Sequence, residues 1–300
     1  MRHSPFRAGL RSAVCAAVLS FGWAPASSAW ADDLFDSGKL LATGGVSQIE
    51  GAGGGGLVPW ALITGYGTDN GIGVNAHYTY DQLSDFSLNT GGVAIGLFDR
   101  VELSYARQAF NTQDAGAALG LGEGYTFHQD ILGAKVKVIG DAVYDQDRWW
   151  PQVSVGAQYK SNDRHDLVKA LGATDDWGVD FYVAASKLYL AQSLLLNATV
   201  RATKANQYGI LGFGGDKNDD YRPEFEGSAA YLLSRQVALG VEYRMKPDNL
   251  SFAKEDDAGD VFVAYFLNKN VSLTAAYTML GDIATFKDQN GFYLSLQAGF

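Results

Sequence analysis

"NGFYLSLQAGF", Asn290 to Phe300, sets Phe292, Leu294, Leu296, Ala298 and Phe300 at every second place, with Gly291, Tyr293, Ser295, Gln297 and Gly299 between them. A period of two sends the two sets to opposite faces of a β-strand. One face is oily and the other small or polar. An oily strand that runs to the last residue leaves no tail to cover its edge, and an open edge invites aggregation. Closing the sheet into a barrel removes the edge.

The pattern recurs along the chain. Ile72, Val74, Ala76, Tyr78 and Tyr80 alternate with Gly73, Asn75, His77 and Thr79; Val153, Val155, Ala157 and Tyr159 alternate with Gln152, Ser154, Gly156, Gln158 and Lys160. Val237, Leu239, Val241, Tyr243 and Met245 do the same against Gln236, Gly240, Glu242, Arg244 and Lys246, with similar runs around Leu103, Val136, Leu196, Tyr231, Val263 and Leu273. The repeated unit is a half-polar strand of about ten residues, the length that crosses a bilayer at a tilt. Val179 to Leu190 alternates poorly.

The beginning of the chain says where such a barrel would live. Arg2, Arg7 and Arg11 precede an apolar run from Ser12 to Ala26, and Ala29-Trp30-Ala31 has the small-residue form of a cleavage site. Residues 1–31 are therefore expected to be a secretory signal and residues 32–300 one mature domain. Pro25 and the serines make the run too broken for a spanning helix. Removing it takes away three arginines, no acid and the only cysteine, Cys15, so the net charge falls from −10 to about −13. Such a charge argues against nucleic acid or anionic lipid headgroups as electrostatic partners, and the mature chain has no disulfide to lean on.

Connection lengths give the topology. Short turns are expected at Thr68, Phe98, Ala191, Ser234 and Asn268, and long loops at Asn111 to Thr126, Ser161 to Trp177, Ala205 to Tyr221 and Pro247 to Gly259. Short periplasmic turns alternating with long external loops are the habit of outer-membrane barrels. "DAVYDQDRWW", Asp141 to Trp150, is long where a short turn is due. Counting a first strand from Lys39 and a glycine-rich turn at Gly51 to Gly56 predicts an all-β, antiparallel transmembrane barrel of about fourteen strands. Twelve is the alternative, since Lys39 to Glu50 is a poor strand that reads equally as a tail or a plug in the lumen. With the last strand running toward the periplasm, Tyr78, Tyr105, Tyr159, Tyr243 and Tyr277 fall near the outer strand ends, and Tyr66, Tyr231, Tyr265 and Phe300 near the inner ends. Two aromatic girdles are what two membrane interfaces select.

Three stretches carry a resemblance: "LLATGGVSQIEGAGGGGLVPWALITGYG" from Leu40, "FSLNTGGVAIGLFDRVELSYARQ" from Phe86 and "LGLGEGYTFHQDILGAKVKVIGDAVYDQDRWW" from Leu119. They are similar to a family of exported proteins of Gram-negative bacteria classed as a domain of unknown function. The resemblance covers nearly all of the mature chain and implies an outer-membrane setting, but no activity and no site residue. The terminal alternation of Phe292, Leu294, Leu296 and Phe300 also resembles the signature by which outer-membrane barrels are recognised for insertion.

On the polar faces fall Glu102, Lys135, Lys137, Lys160, Arg201, Glu224, Glu226, Glu242, Arg244 and Asp260. Charges of both signs on an interior wall suit a wet lumen, either as an electrostatic constriction or as cross-strand pairs. About fourteen strands would leave a narrow pore, open to obstruction by a loop. A wet lumen also predicts that Ser154→Arg is tolerated while Val155→Arg, on the lipid side, is not.

No enzyme is expected. Catalysis would need a nucleophile, a base and an orienting group within reach, and His77, His128 and His165 are scattered with no serine in a recognisable elbow. "GLGEG" at Gly120 lacks the strand and helix of a phosphate loop; "DKNDD" at Asp216 places Tyr221 where a calcium loop needs glycine. Both read as solvated external loop, and no metal or cofactor is expected. The expectation is an outer-membrane channel, passive or weakly selective, for small solutes. A closed-lumen adhesive or structural protein acting through its loops is the alternative, and an outer-membrane hydrolase the more distant one. Its partners would be outer-membrane lipid and lipopolysaccharide, the barrel-assembly machinery and small solutes.

Overall fold

Twelve antiparallel strands close on themselves in the computed structural model, which describes residues 38–300. The expected signal segment lies outside the described residues. A small hairpin comes first, β1 Val46–Ser47 and β2 Gly53–Gly54. The wall follows: β3 Ile72–Leu83, β4 Ser87–Leu97, β5 Val101–Asn111, β6 Thr126–Ile139, β7 Gln152–Asn162, β8 Trp177–Tyr189, β9 Leu194–Thr203, β10 Arg222–Leu232, β11 Val237–Arg244, β12 Ala258–Phe266, β13 Val271–Met279 and β14 Asn290–Gly299. Each wall strand pairs with the next, and β14 closes on β3 from Gly291 opposite Leu83 to Gly299 opposite Asn75. Beyond that ladder the Phe300 N–H donates to the Val74 carbonyl at 2.8 Å, and the Val74 N–H returns the bond at 2.9 Å.

The strands alternate as their sequences ask. Val155, Leu196, Leu294 and Leu296 are exposed, whereas Glu102, Lys135, Lys160 and Arg201 are buried. A globule in water has the opposite distribution. Apolar outside and polar inside is the arrangement of a barrel standing in lipid. No helix among the described residues is long and apolar enough to cross a membrane.

The count is twelve, the lower of the two the sequence allows, because residues 38–71 are not in the wall. They fold into the lumen, and Ile49, Leu57, Val58, Ala61 and Ile63 are almost wholly buried there. Three readings of the sequence change in consequence. Gly51 to Gly56 does not turn one wall strand into the next, the turn at Thr68 leads from the luminal segment into β3 rather than joining two wall strands, and Tyr66, counted with the inner girdle, is buried against the barrel interior. The glycines serve close approach instead. A Cβ at Gly55 would overlap the Glu242 carboxylate, and one at Gly53 would lie 2.9 Å from Glu102 Oε2.

The long connection at Asp141 also finds its reason. Asp141 Oδ1 accepts the N–H groups of Val143 at 2.8 Å and Tyr144 at 2.7 Å, a local Asx-type turn. That turn tucks Ala142 and Val143 under the barrel, where the Leu188 N–H bonds the Ala142 carbonyl at 2.8 Å and Tyr144 Oη accepts the N–H of Leu40 at 3.1 Å. A two-residue turn could not reach the luminal segment. The connections at the opposite, loop end carry two short helices, α1 Ala115–Ala118 and α2 His165–Ala170.

Candidate functional site

The luminal segment has almost no regular structure of its own, so its backbone groups need partners from the wall. The wall supplies them from nearly every side. Glu102 accepts the N–H groups of Gly53 at 2.9 Å and Thr64 at 2.8 Å, and Lys135, 3.0 Å from Glu102, donates to the carbonyls of Gly53 and Trp60 at 2.9 and 3.1 Å. Glu242 accepts the Leu57 N–H at 2.6 Å and Gln297 that of Ser47 at 2.6 Å. Ser154 and Gln152 both donate to the Ala61 carbonyl at 2.6 Å, and Ser186 Oγ accepts the Ala61 N–H at 2.8 Å. Trp60 Nε1 donates to Ser228 Oγ at 2.9 Å. The plug is held by wall side chains acting as a surrogate sheet.

At the centre stands Glu50. Its carboxylate pairs with Lys160, lies 3.0 Å from Arg244 Nη2 and 3.8 Å from Arg201 Nη2, and accepts the Gln48 side-chain amide at 3.0 Å. The cations are held in turn by wall carboxylates. Arg201 pairs with Glu226 and lies 3.4 Å from Asp180, Lys160 lies 2.7 Å from Asp180, and Arg244 lies 3.4 Å from Glu226. All six side chains are buried. Three positive and three negative charges cancel here, and five of them belong to the wall. Without Glu50 the wall would carry one uncompensated positive charge.

The loop end covers this network. The β9–β10 connection dips inward so that Asn206, Gln207 and Tyr208 are buried, with Gln207 and Tyr208 held at φ of 45° and 62°. The Tyr208 ring lies under the Arg244 guanidinium at 4.2 Å, and its carbonyl accepts from Gln129 at 3.1 Å. Burial pushes the Tyr208 hydroxyl well above the ordinary phenol range. Lys246 bridges the same loop, donating to Gln207 Oε1 at 2.8 Å.

Of the residues read from the sequence as lumen candidates, Lys160, Arg201, Glu226 and Arg244 meet around Glu50, Glu102 and Lys135 clamp the first plug hairpin, and Glu242 holds Leu57. Lys137 sits apart near the turn end, paired with Asp99, which also lies 2.7 Å from Lys39. Glu224 and Asp260 are inward too, Asp260 directly opposite Glu242 and with one oxygen that has no hydrogen-bond partner. Phe292, Leu294, Leu296 and Phe300 are exposed on the outer face. Sequence reasoning missed Glu50, Asp180 and Tyr208. Asp180 does alternate with Phe181 and Val183, but the inward Tyr182, 5.3 Å from the Arg201 guanidinium, hides the period.

The three histidines stay separate. His128 faces Asp163 at 3.2 Å, His165 faces Asp176 at 3.1 Å, and Nε2 of the buried His77 has no hydrogen-bond partner. Among the described residues no serine or threonine hydroxyl is bonded to any of them, and no cluster of three metal-ligating side chains occurs.

The sequence profile of a family described as "Protein of unknown function (DUF3034)" matches residues 43–297. The chain belongs to the DUF3034 family. The match begins at Thr43, so the family domain includes the plug as well as the wall. No curated protein matches in sequence. Among solved structures, the KdgM porin is similar over 75% of this chain and 99% of its own, at 10% identity and a TM-score of 0.48. An outer-membrane channel of Pseudomonas putida F1 is similar over 76% and 94%, at 12% identity and a TM-score of 0.48. The outer-membrane phospholipase A of Escherichia coli is similar over 79% and 91%, at 13% identity and a TM-score of 0.44.

Proposed function

We propose that this DUF3034 protein is an outer-membrane channel for small solutes, closed at rest by its own residues 38–71 and conducting when that segment withdraws from the lumen. The observation that carries the reading is Glu50 among Lys160, Arg201 and Arg244. A plug meant never to move is held most cheaply by apolar packing, since a buried ionic network is at best weakly stabilising. Here apolar contacts of the plug with wall residues such as Phe262 and Leu188 stand beside a band of charged and hydrogen-bonding wall groups, and those polar groups would be solvated by water if the plug left. The withdrawn state would be a charged, wettable passage.

The same proposal includes export by the N-terminal signal, insertion by the barrel-assembly machinery, and a wall surrounded by lipid and lipopolysaccharide. Single-channel recording of the folded, mature protein in planar bilayers tests it. Rare, brief openings are expected, and Glu50→Gln should raise their frequency. Joining Ser47→Cys to Gln297→Cys with a short, reducible bis-methanethiosulfonate cross-linker should abolish them until the link is reduced. If the native protein and Glu50→Gln are both silent at every voltage, the lumen is permanently closed and the loops become the seat of function.

A further inference from the structure

All six connections at the loop end converge on one cavity. Phe86 comes from the β3–β4 turn, Leu121 from the β5–β6 loop, Leu171 from the residue after α2, Leu211 from the β9–β10 loop, Phe252 from the β11–β12 loop and Ile283 from the β13–β14 loop. Together they enclose about 110 Å³. The lining contains one polar side chain, Thr112, and its hydroxyl already donates to the Tyr125 carbonyl at 2.9 Å. No side-chain donor in the lining is left over for an occupant.

We propose that this cavity is a binding site for a small uncharged aromatic hydrocarbon of a single ring. Three observations support that class. First, side chains that merely packed the loops together would close the space, because native cores leave few voids larger than a water molecule. Second, apolar cavities of roughly this scale, about 150 Å³, stay dry and admit benzene. A hydroxylated or charged molecule would surrender its bonds to water and gain none here. Third, four phenylalanines, Phe86, Phe110, Phe127 and Phe252, line it beside aliphatic side chains. Phe86 stacks on Phe110 at 5.1 Å and Phe127 meets Phe110 edge-on at 6.4 Å, the offset and edge-to-face arrangements that a further ring also favours. Phe252, 36% exposed, stands at the outer lip where such a molecule enters.

The site is joined to the plug by one loop. Leu211, in the lining, follows the buried Tyr208 by three residues, and Tyr208 covers Arg244 above Glu50. Naming the bound hydrocarbon as the solute rests on the channel reading; its binding does not.

Methyl NMR of the full mature chain in phosphatidylcholine nanodiscs, labelled at leucine and isoleucine and titrated with toluene, tests the site. Saturable shifts are expected at Leu121, Leu171, Leu211 and Ile283, with only linear shifts, from toluene dissolved in lipid, at Leu294 and Leu296. Glucose should move none of them. Leu119→Trp, which fills the lip from a loop position outside the wall, should abolish saturation and leave the barrel's melting unchanged. Shifts at the cavity of the native protein that stay linear, like those of the wall, overturn the proposal whether or not the variant folds. Saturable binding in a protein that never conducts would sink the channel reading and leave the site standing. Conduction without saturable binding would do the reverse.

Discussion

Glu50 of the luminal segment lies 3.0 Å from Arg244 of β11, two fully buried charges separated by 194 residues in sequence. The pair ties the plug to the wall, and the charges around it balance. Breaking one side of a buried pair costs roughly 3–5 kcal/mol, because the survivor is left charged and unpaired. Glu50→Gln should therefore loosen the plug by about that amount, read as faster proteolysis within residues 38–71 of the folded protein. Glu50→Gln combined with Arg244→Gln restores neutrality and should recover part of the loss. If the double variant is as labile as the sum of the two single ones, the charges are not coupled.

Ser154 and Val155 are neighbours with opposite surroundings. Val155 is 42% exposed on the outer wall, and an arginine there should cost about 2–4 kcal/mol near the bilayer midplane. A wet lumen would have let Ser154→Arg pass. The structure corrects that expectation: Ser154 is wholly buried and its hydroxyl bonds the Ala61 carbonyl at 2.6 Å. Ser154→Arg should expel the plug, while Ser154→Ala should cost about 1 kcal/mol for the lost bond. Plug protease sensitivity and barrel melting separate the two: Ser154→Arg should change the first much more than the second. An unaltered plug in Ser154→Arg would mean that the segment does not occupy this lumen.

The wall was legible in the sequence because period two leaves little ambiguity when one face meets lipid. Lys160, Arg201, Glu226 and Arg244 could be assigned inward from alternation alone. What alternation cannot say is what fills the inside. Glu50 sat in a stretch that failed as a strand, and four consecutive glycines, Gly53 to Gly56, imitate a turn. They are needed because the backbone passes within van der Waals distance of Glu102 and Glu242. A clue was present in the absence of any alternating run between Lys39 and Gly71. The convergence of six loops on one apolar cavity was hidden for a different reason, since it depends on contacts between segments far apart in the chain.

Lys246 and Glu255 bracket the β11–β12 loop, 3.2 Å apart and both buried. Burial pushes the Glu255 carboxyl above its ordinary 4.5, and the Lys246 ammonium only partly offsets this. The folded loop thus holds a proton more tightly than the unfolded one. Its contribution to stability is complete below about pH 4.5 and is lost as pH rises through the elevated folded value. Amide protection factors across residues 245–257 should be larger at about pH 5 than at about pH 8. Glu255→Gln should make them nearly independent of pH. Protection that instead rises with pH in the native protein would reverse the assignment.

Phe300 joins three parts of the molecule through its backbone. Its N–H donates to Val74, and its carbonyl accepts from Val74 at 2.9 Å and from Tyr66 of the luminal segment at 3.0 Å. Its ring points outward, 58% exposed. Two roles can therefore be separated by experiment. Phe300→Ala keeps all three backbone bonds and removes only the ring, whereas deletion removes the bonds as well and opens the last rung of the β14–β3 seam. If the ring is read as an assembly signal, both variants should lower the amount of heat-modifiable barrel in the outer membrane. Only the deletion should lower the melting temperature of the barrel that does assemble and free the plug near Tyr66. Equal melting of deletion and native protein would show that the seam is held without its last residue, and unchanged assembly in both would remove the signal.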